Sequence, residues 1–104
     1  MPDAEGHPET GEMELRAVLN ALTDDHRRSV VVTLLGQPED TERTCQSFGL
    51  PVSKSTLTYH FRMLREAGLI LQVDRGNSRK VRLRRADLQQ RFPGLLELLA
   101  AEDA

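Results

Sequence analysis

The chain has 104 residues, which is enough for one domain with a modest core. It carries 14 basic and 16 acidic side chains, a net charge of −2, and one cysteine. One cysteine excludes an internal disulfide framework and a paired-thiol metal knuckle. No apolar run is long enough to span a bilayer and no signal-peptide core stands near the start, so we expect a cytoplasmic protein without a membrane segment.

The charge is unevenly distributed along the chain. Residues 1–52 hold 4 basic and 10 acidic side chains, whereas residues 53–91 hold 10 basic and 3 acidic ones. Residues 92–104 hold three acidic side chains and no basic one. A local basic segment, rather than a basic whole, is typical of a nucleic-acid-binding surface.

The first elements are predicted from apolar spacing. Residues 1–11 are rich in acids, proline and glycine, which predicts a disordered acidic tail before a domain over 12–100 and a short tail over 101–104. An apolar i, i+3, i+4, i+7 pattern then predicts a first helix over 12–22. This stripe consists of Leu15, Val18, Leu19 and Leu22.

A second and a third helix follow in the pattern. Thr23 stands before two aspartates, so it is the predicted N-cap of the second helix, whose apolar positions run from Val30 to Leu35. Gly36 and Pro38 end that helix. A short third helix is predicted over 43–48, with Cys45 and Phe48 facing inward.

The next stretch is a well-delimited amphipathic helix. Ser53 is a predicted N-cap, Gly68 is suited to the left-handed position after the last turn, and the helix covers 54–67. Its apolar stripe consists of Leu57, Phe61 and Leu64. The opposite face carries hydroxyl groups and a guanidinium group, which suit base edges and phosphate oxygens. An ordinary solvated face accounts for this helix alone equally well.

A predicted hairpin follows and favours the nucleic-acid interpretation. Leu71 and Val73 alternate with polar residues, as do Val81 and Leu83, so each strand has one apolar face. Residues 74–78 have the composition of a tight turn. Three cationic side chains lie at or beside this turn: Arg75, Arg79 and Lys80. A polar-faced helix followed by a ribbon with a cationic tip is the order of elements in a winged helix.

The C-terminal part is rich in leucine. Residues 86–92 are predicted to be helical, and Pro93 and Gly94 interrupt the helix. A leucine-rich segment follows, with Leu95, Leu96, Leu98 and Leu99. Such a segment either packs back on its own domain or forms a partner surface. We expect a partner surface shared with the first helix, and hence a homodimer.

Two strings resemble the ArsR (arsenic-repressor) family of bacterial winged-helix regulators. Residues 53–70, SKSTLTYHFRMLREAGLI, are similar to the family's recognition helix, and residues 23–28, TDDHRR, to the opening of its second helix. Residues 91–96, RFPGLL, together with Asp87 and Leu88, are similar to one branch that does not look metal-dependent. The resemblance covers about residues 15–96.

This resemblance implies a mainly α-helical winged helix-turn-helix of five to six helices with a two-stranded wing. It implies a symmetric homodimer that binds double-stranded DNA at a near-palindromic operator and represses transcription. It also implies that the wing reaches the adjacent groove. The implied helix contacts are Ser53, Lys54, Ser55, Thr58, Tyr59 and Arg62.

The sequence departs from the metal-sensing members of that family. Cys45 stands alone in the third helix, and the last helix offers Asp87 and Glu97 but no histidine. Since zinc and arsenic sites need three or four ligands, we expect no metal site and no cofactor. No phosphate-binding loop or catalytic triad pattern is present, so we expect no enzyme activity. The alternative is a winged-helix protein-interaction module that does not bind DNA.

Overall fold

The structure is a computed structural model that describes residues 1–102. Within this range the chain forms five α-helices and a three-stranded antiparallel sheet, the mainly α-helical winged helix-turn-helix that was predicted. Single 3-10 turns lie at Thr10–Glu12 and Cys45–Phe48. The elements are α1 (Leu15–Thr23), α2 (Asp25–Leu35), β1 (Arg43–Thr44), α3 (Lys54–Ala67), β2 (Ile70–Asp74), β3 (Arg79–Leu83), α4 (Arg85–Arg91) and α5 (Leu95–Glu102).

The junction between α1 and α2 differs in detail from the prediction. Asp24, not Thr23, is the N-cap of α2, since its carboxylate accepts the backbone N–H of Arg27 at 3.0 Å. Thr23 is the last residue of α1, and its hydroxyl donates to the carbonyl oxygen of Asn20. Either side chain is a competent cap, so the local pattern did not distinguish the two.

Helix α3 has the predicted boundaries. The Ser53 hydroxyl accepts the backbone N–H of Thr56 at 3.2 Å, and Gly68 ends the helix with φ +95°. The predicted apolar stripe faces the core, with Phe61 and Leu64 buried and Leu57 half-buried. A side chain at Gly68 would lie 2.8 Å from Cγ of the buried Met13, so this turn requires glycine for its conformation and its space.

The core lies between α1, α2, α3, the sheet and the C-terminal helices. Its residues with essentially no exposed surface are Met13, Val18, Val30, Val31, Leu34, Leu64, Leu69, Ile70, Val81 and Leu88. Because α3 packs on α1, α2 and β2, one face of the helix is fixed and the other is left to solvent.

The sheet has one strand more than predicted. The two-residue strand β1 pairs antiparallel with β3, with Arg43 opposite Val81 and Thr44 opposite Lys80. The predicted helix over 43–48 is therefore wrong in its first two residues, because Arg43 and Thr44 pair with β3. Only Cys45–Phe48 turns, as a 3-10 helix that ends at Gly49.

The hairpin register also corrects the expected face of β2. Gln72 lies opposite Val81, and Leu71 lies opposite Arg82. Directly opposed residues share a face, so Ile70 and Gln72 share the inner face and Leu71 the outer one. Residues 69–71 are apolar on both faces, and alternation alone did not reveal which face is buried.

Part of the segment that was predicted to be a disordered tail contacts the domain, since His7 and Pro8 are buried. His7 is buried, with 8% of its surface exposed, and its Nε2 accepts the backbone N–H of Gln72 at 2.9 Å. Arg84 donates to the carbonyl oxygen of Pro8 at 2.8 Å. Since β2 is an edge strand, its outward N–H groups need acceptors, and this segment supplies one. The domain limits at 12 and 100 stay a prediction.

The C-terminal helices have nearly the predicted limits. Helix α4 begins and ends one residue earlier than predicted, and the chain turns at Gly94, which has φ +93°. Leu88 and Leu96 pack into the core. In residues 1–102, no helix combines the length and the apolar character that a membrane span requires.

Candidate nucleic-acid interface

The predicted reading face of α3 is open to solvent. All six predicted helix contacts are exposed, and Tyr59 retains 44% of its surface. They run from the N-terminus of the helix to its third turn: Ser53, Lys54, Ser55, Thr58, Tyr59 and Arg62. The opposite side of the helix packs on the core through Phe61 and Leu64, so this face is left open to solvent.

The hydroxyl groups at the start of α3 are ordered by the helix itself. Ser53 Oγ donates to Thr56 Oγ1 at 3.0 Å, and Thr58 Oγ1 donates to the carbonyl oxygen of Lys54 at 3.1 Å. Ser53 and Thr58 are themselves exposed. The helix N-terminus is the positive end of the helix dipole, and Lys54 adds a full charge there, so this end suits a phosphate group.

Tyr59 is surrounded by basic side chains. The guanidinium carbon of Arg62 lies 5.6 Å from the centroid of the Tyr59 ring, and that of Arg27 lies 5.9 Å away. The His60 ring centroid is 6.0 Å from the same ring. These contacts restrict the position of the ring next to the exposed Arg62.

A buried polar cluster lies beneath Tyr59 and was not predicted. Arg27 donates through Nε to the carbonyl oxygen of Ala21 at 2.8 Å, and its Nη1 lies 3.2 Å from Nδ1 of the buried His60. The cluster therefore ties α3 to the C-terminal end of α1. The sequence did contain evidence that Arg27 is buried. Arg27 stands at helical spacing with Val30, Val31 and Leu34, which places it on the buried face of α2.

The wing arginines are exposed but paired with carboxylates. Arg75 Nε donates to Glu42 at 3.0 Å, and Arg79 donates to Glu5 at 2.9 Å. The bond from Arg75 lowers the pKa of Glu42 below its usual value. Both acids come from the N-terminal half of the chain, and sequence reasoning missed them as partners of the wing. Lys80 is half-buried and forms no ion pair with any residue of the described range.

A groove of about 610 Å³ separates α3 from the wing. Its apolar side is formed by Leu57 and Phe61, and its cationic lining consists of Lys54, Arg65 and Arg79. Arg79 lies on the inner face of the sheet with Val81, which accounts for its position in this groove. The groove extends from Lys54 and Thr58 on α3 to Ser78 and Arg79 at the wing.

Cys45 lies in the same groove but has none of the surroundings of a metal site. It is half-buried, and burial raises the pKa of its thiol. The described residues contain no group of three or more histidine, cysteine or carboxylate side chains placed to hold a metal ion. A neutral thiol is also a poor nucleophile.

The predicted dimer residues fall into two groups. Val18, Leu22 and Leu96 are buried in the protomer's own core, so a partner cannot reach them in this structure. Leu95 and Leu99 are half-buried against the same core. The exposed members are Leu15 at 48%, Leu19 at 48% and Leu98 at 72%. The exposed apolar surface is therefore narrower than the sequence pattern indicated.

Comparison with known proteins places this arrangement in a family. No family model matches the chain. It is 35% identical over 89 residues to YceK of Bacillus subtilis (strain 168), an uncharacterised helix-turn-helix transcriptional regulator, covering 83% of this chain and 87% of that protein. An ArsR-like transcriptional regulator from Rhodococcus sp. RHA1 superimposes with a TM-score of 0.60 at 27% identity, over 86% of this chain and 82% of that one. Such regulators are a non-enzymatic class. The chain belongs to the ArsR-like family of winged helix-turn-helix transcriptional regulators.

Proposed function

We propose that the protein is a repressor that binds a near-palindromic DNA operator as a homodimer in the cytoplasm. The observation that carries this proposal is the exposed polar face of α3 beside a cationic wing. Both elements pack on the same core, through Leu64 of α3 and Val81 of β3, so the fold sets their relative position.

In this proposal α3 lies in the major groove. Arg62 and Tyr59 reach base edges, with Ser55 and Thr58 contributing hydroxyl groups nearer the helix start. Ser53 and Lys54, at the helix N-terminus, bind the flanking phosphate. A guanidinium group that donates twice to a guanine is the strongest discriminating contact that this face offers.

The wing supplies the second contact. Arg75, Arg79 and Lys80 bind phosphates or the adjacent minor groove. Because Arg75 and Arg79 are paired with Glu42 and Glu5, those ion pairs have to open or share their donors when DNA binds. Ion pairs at the protein surface are weak because solvent screens them, so phosphate can replace them.

The dimer is proposed to form through the exposed leucines of α1 and α5. Leu15, Leu19 and Leu98 supply the apolar surface, with Leu95 and Leu99 at its border. Two-fold symmetry then separates two copies of α3 by about one turn of DNA, ~34 Å, so each copy reads one half-site.

Selection of bound sequences from a random DNA library tests the proposal. We expect enrichment of an inverted repeat whose half-site centres lie about 10 base pairs apart. When this site overlaps a promoter, the protein should reduce transcription from it in a purified system. Recovery of no enriched sequence, with folded protein, would contradict DNA binding, and enrichment without reduced transcription would contradict repression.

A further inference from the structure

Residues 3–8 form a compact loop that lies across the C-terminal half of α3 and the edge of the wing. Arg65 Nε donates to the carbonyl oxygen of Glu5 at 2.6 Å, and the Gln72 N–H donates to His7 at 2.9 Å. Arg79 donates to the Glu5 carboxylate at 2.9 Å. One short loop therefore contacts the recognition helix, the edge strand and a wing arginine together.

The loop is shaped by its own polar contacts. The Asp3 carboxylate accepts the backbone N–H groups of Glu5 and His7 at 2.9 and 3.0 Å, and its other oxygen lies 2.9 Å from Nδ1 of His7. Gly6 permits the turn with φ +89° and lies against the side chain of Glu66. These contacts present the Glu5 carboxylate to Arg79 instead of leaving it in solvent.

The position of Arg79 gives this ion pair a consequence for DNA binding. Arg79 lines the groove between α3 and the wing together with Lys54 and Arg65. Its Nη2, which now donates to the Glu5 carboxylate, would donate to a DNA phosphate in the same way. Glu42 stands in the same relation to Arg75 on the other side of the turn. The proposed DNA-contacting arginines of the wing are thus both neutralised by acids from residues 1–52.

We infer that the N-terminal loop is an intramolecular competitor of DNA, in which the Glu5 carboxylate occupies Arg79 as a DNA phosphate would. The inference rests on the proposed function, since it requires that the wing binds DNA. Binding then exchanges one carboxylate for one phosphate on Arg79. The loop sets the affinity of the wing for DNA without touching the bases, so its effect is the same on specific and random duplexes.

A double-mutant cycle on DNA affinity tests the inference. Glu5→Gln should tighten binding roughly two- to five-fold, which corresponds to the free energy of an exposed ion pair. In an Arg79→Gln background, the same substitution should give only the small gain that follows from removing one negative charge. Fluorescence anisotropy at fixed salt on the selected site and on random DNA measures both effects.

Glu9→Gln is the matched control. It removes one carboxylate from the same segment, but the Glu9 side chain makes no contact with the wing within the described residues. We expect Glu9→Gln to give a smaller gain than Glu5→Gln, and one that is the same with and without Arg79. Circular dichroism and thermal unfolding check that every variant is folded.

The possible results distinguish a failure of DNA binding from a failure of the competition by Glu5. If the wild-type protein binds no DNA, the proposed function fails. If it binds, equal gains from Glu5→Gln and Glu9→Gln would overturn the competition. A loss of affinity in Glu5→Gln would also overturn it, because Glu5 would then position Arg79 for DNA rather than compete for it.

Discussion

At the scale of single residues, buried polar groups position the exposed ones. Arg27 and His60 lie under Tyr59, and the Arg27 backbone N–H is held by the Asp24 carboxylate. Arg28 adds a bond to the carbonyl oxygen of Leu22 at 2.9 Å, so two arginines satisfy the carbonyl groups at the end of α1. The position of the exposed face of α3 therefore depends on side chains that bond to the end of α1.

Asp24 gives a prediction for stability and its pH dependence. The backbone N–H of Arg27 lowers the pKa of the Asp24 carboxyl in the folded protein. A lowered pKa means that the stabilisation is present above the unfolded value, about 3.9, and is lost as the pH falls through the folded value. Asp24→Ala should therefore lower the free energy of unfolding by about 0.5–2 kcal/mol at pH 7. Urea unfolding across the acid range should show this difference shrinking.

Asp25→Ala is the control for that measurement. Asp25 is exposed and pairs with Arg28 at the surface, so its removal should lower the free energy of unfolding by less. Equal losses in the two variants, or a loss in Asp24→Ala that stays constant down to pH 2, would contradict the capping role.

At the scale of elements, the boundaries of α3 are set by two local signals. Ser53 caps the first turn, and Gly68 takes the left-handed conformation after the last one. The end of the helix is also a packing contact, since Met13 lies directly against Gly68. Chain direction into β2, and hence the position of the wing relative to the reading face, depends on this turn.

Gly68→Ala should destabilise the fold through two separable effects. A left-handed conformation costs a residue with a side chain roughly 1–2 kcal/mol, and the new methyl group would also overlap with Met13. Gly49→Ala is the matched control, because Gly49 has φ +63° and open space around it. Chemical denaturation should show the larger loss for Gly68→Ala, and equal losses would contradict the packing effect.

Features that depend on neighbouring residues were predictable from the sequence, whereas contacts between distant residues were not. The limits of α3 and the break at Pro93 and Gly94 depend on neighbours in the chain, so pattern reading located them. The docking of His7 on Gln72 joins residues 65 positions apart. Nothing in the composition of residues 1–11 records that contact, and the strand β1 was missed for the same reason.

In the candidate site, too, the contacts within one helix were predictable and those between distant parts of the chain were not. Spacing on α3 predicted which side chains share the exposed face, and their exposure agrees with it. The partners of the wing arginines were not predictable, because Glu5 and Glu42 approach Arg79 and Arg75 only through the tertiary fold. Whether those exposed side chains contact DNA stays a prediction.

At the scale of the whole molecule, charge and apolar surface are segregated. Three basic side chains, Lys54, Arg65 and Arg79, line the groove between α3 and the wing. Exposed leucines lie on the first and last helices instead. The proposed dimer surface therefore lies apart from the exposed face of α3, and dimerisation through it would leave that face uncovered.

Dimerisation is tested by charge substitutions on the exposed leucines. We expect light scattering to report a dimer at micromolar concentration and a shift towards monomer for Leu19→Glu and Leu98→Glu, because a buried unpaired carboxylate is strongly unfavourable. Gln90→Glu adds the same charge at an exposed position of α4 and should leave the dimer intact. A wild-type monomer that binds one half-site tightly would contradict the dimer.

The central claim is that the exposed face of α3 contacts the bases of the operator. It is tested most directly by measuring the affinity of Arg62→Ala and Tyr59→Ala for the selected operator, with fluorescence anisotropy at one salt concentration. Arg16→Ala is the control, since Arg16 is exposed on α1 and forms no side-chain hydrogen bond or ion pair with the described residues. If α3 reads bases, Arg62→Ala should lose ~1–3 kcal/mol of binding free energy, about 5- to 150-fold in affinity. Tyr59→Ala should also bind more weakly, and Arg16→Ala should bind nearly as the wild type does. Wild-type affinity in both Arg62→Ala and Tyr59→Ala would show that this face of α3 does not read DNA.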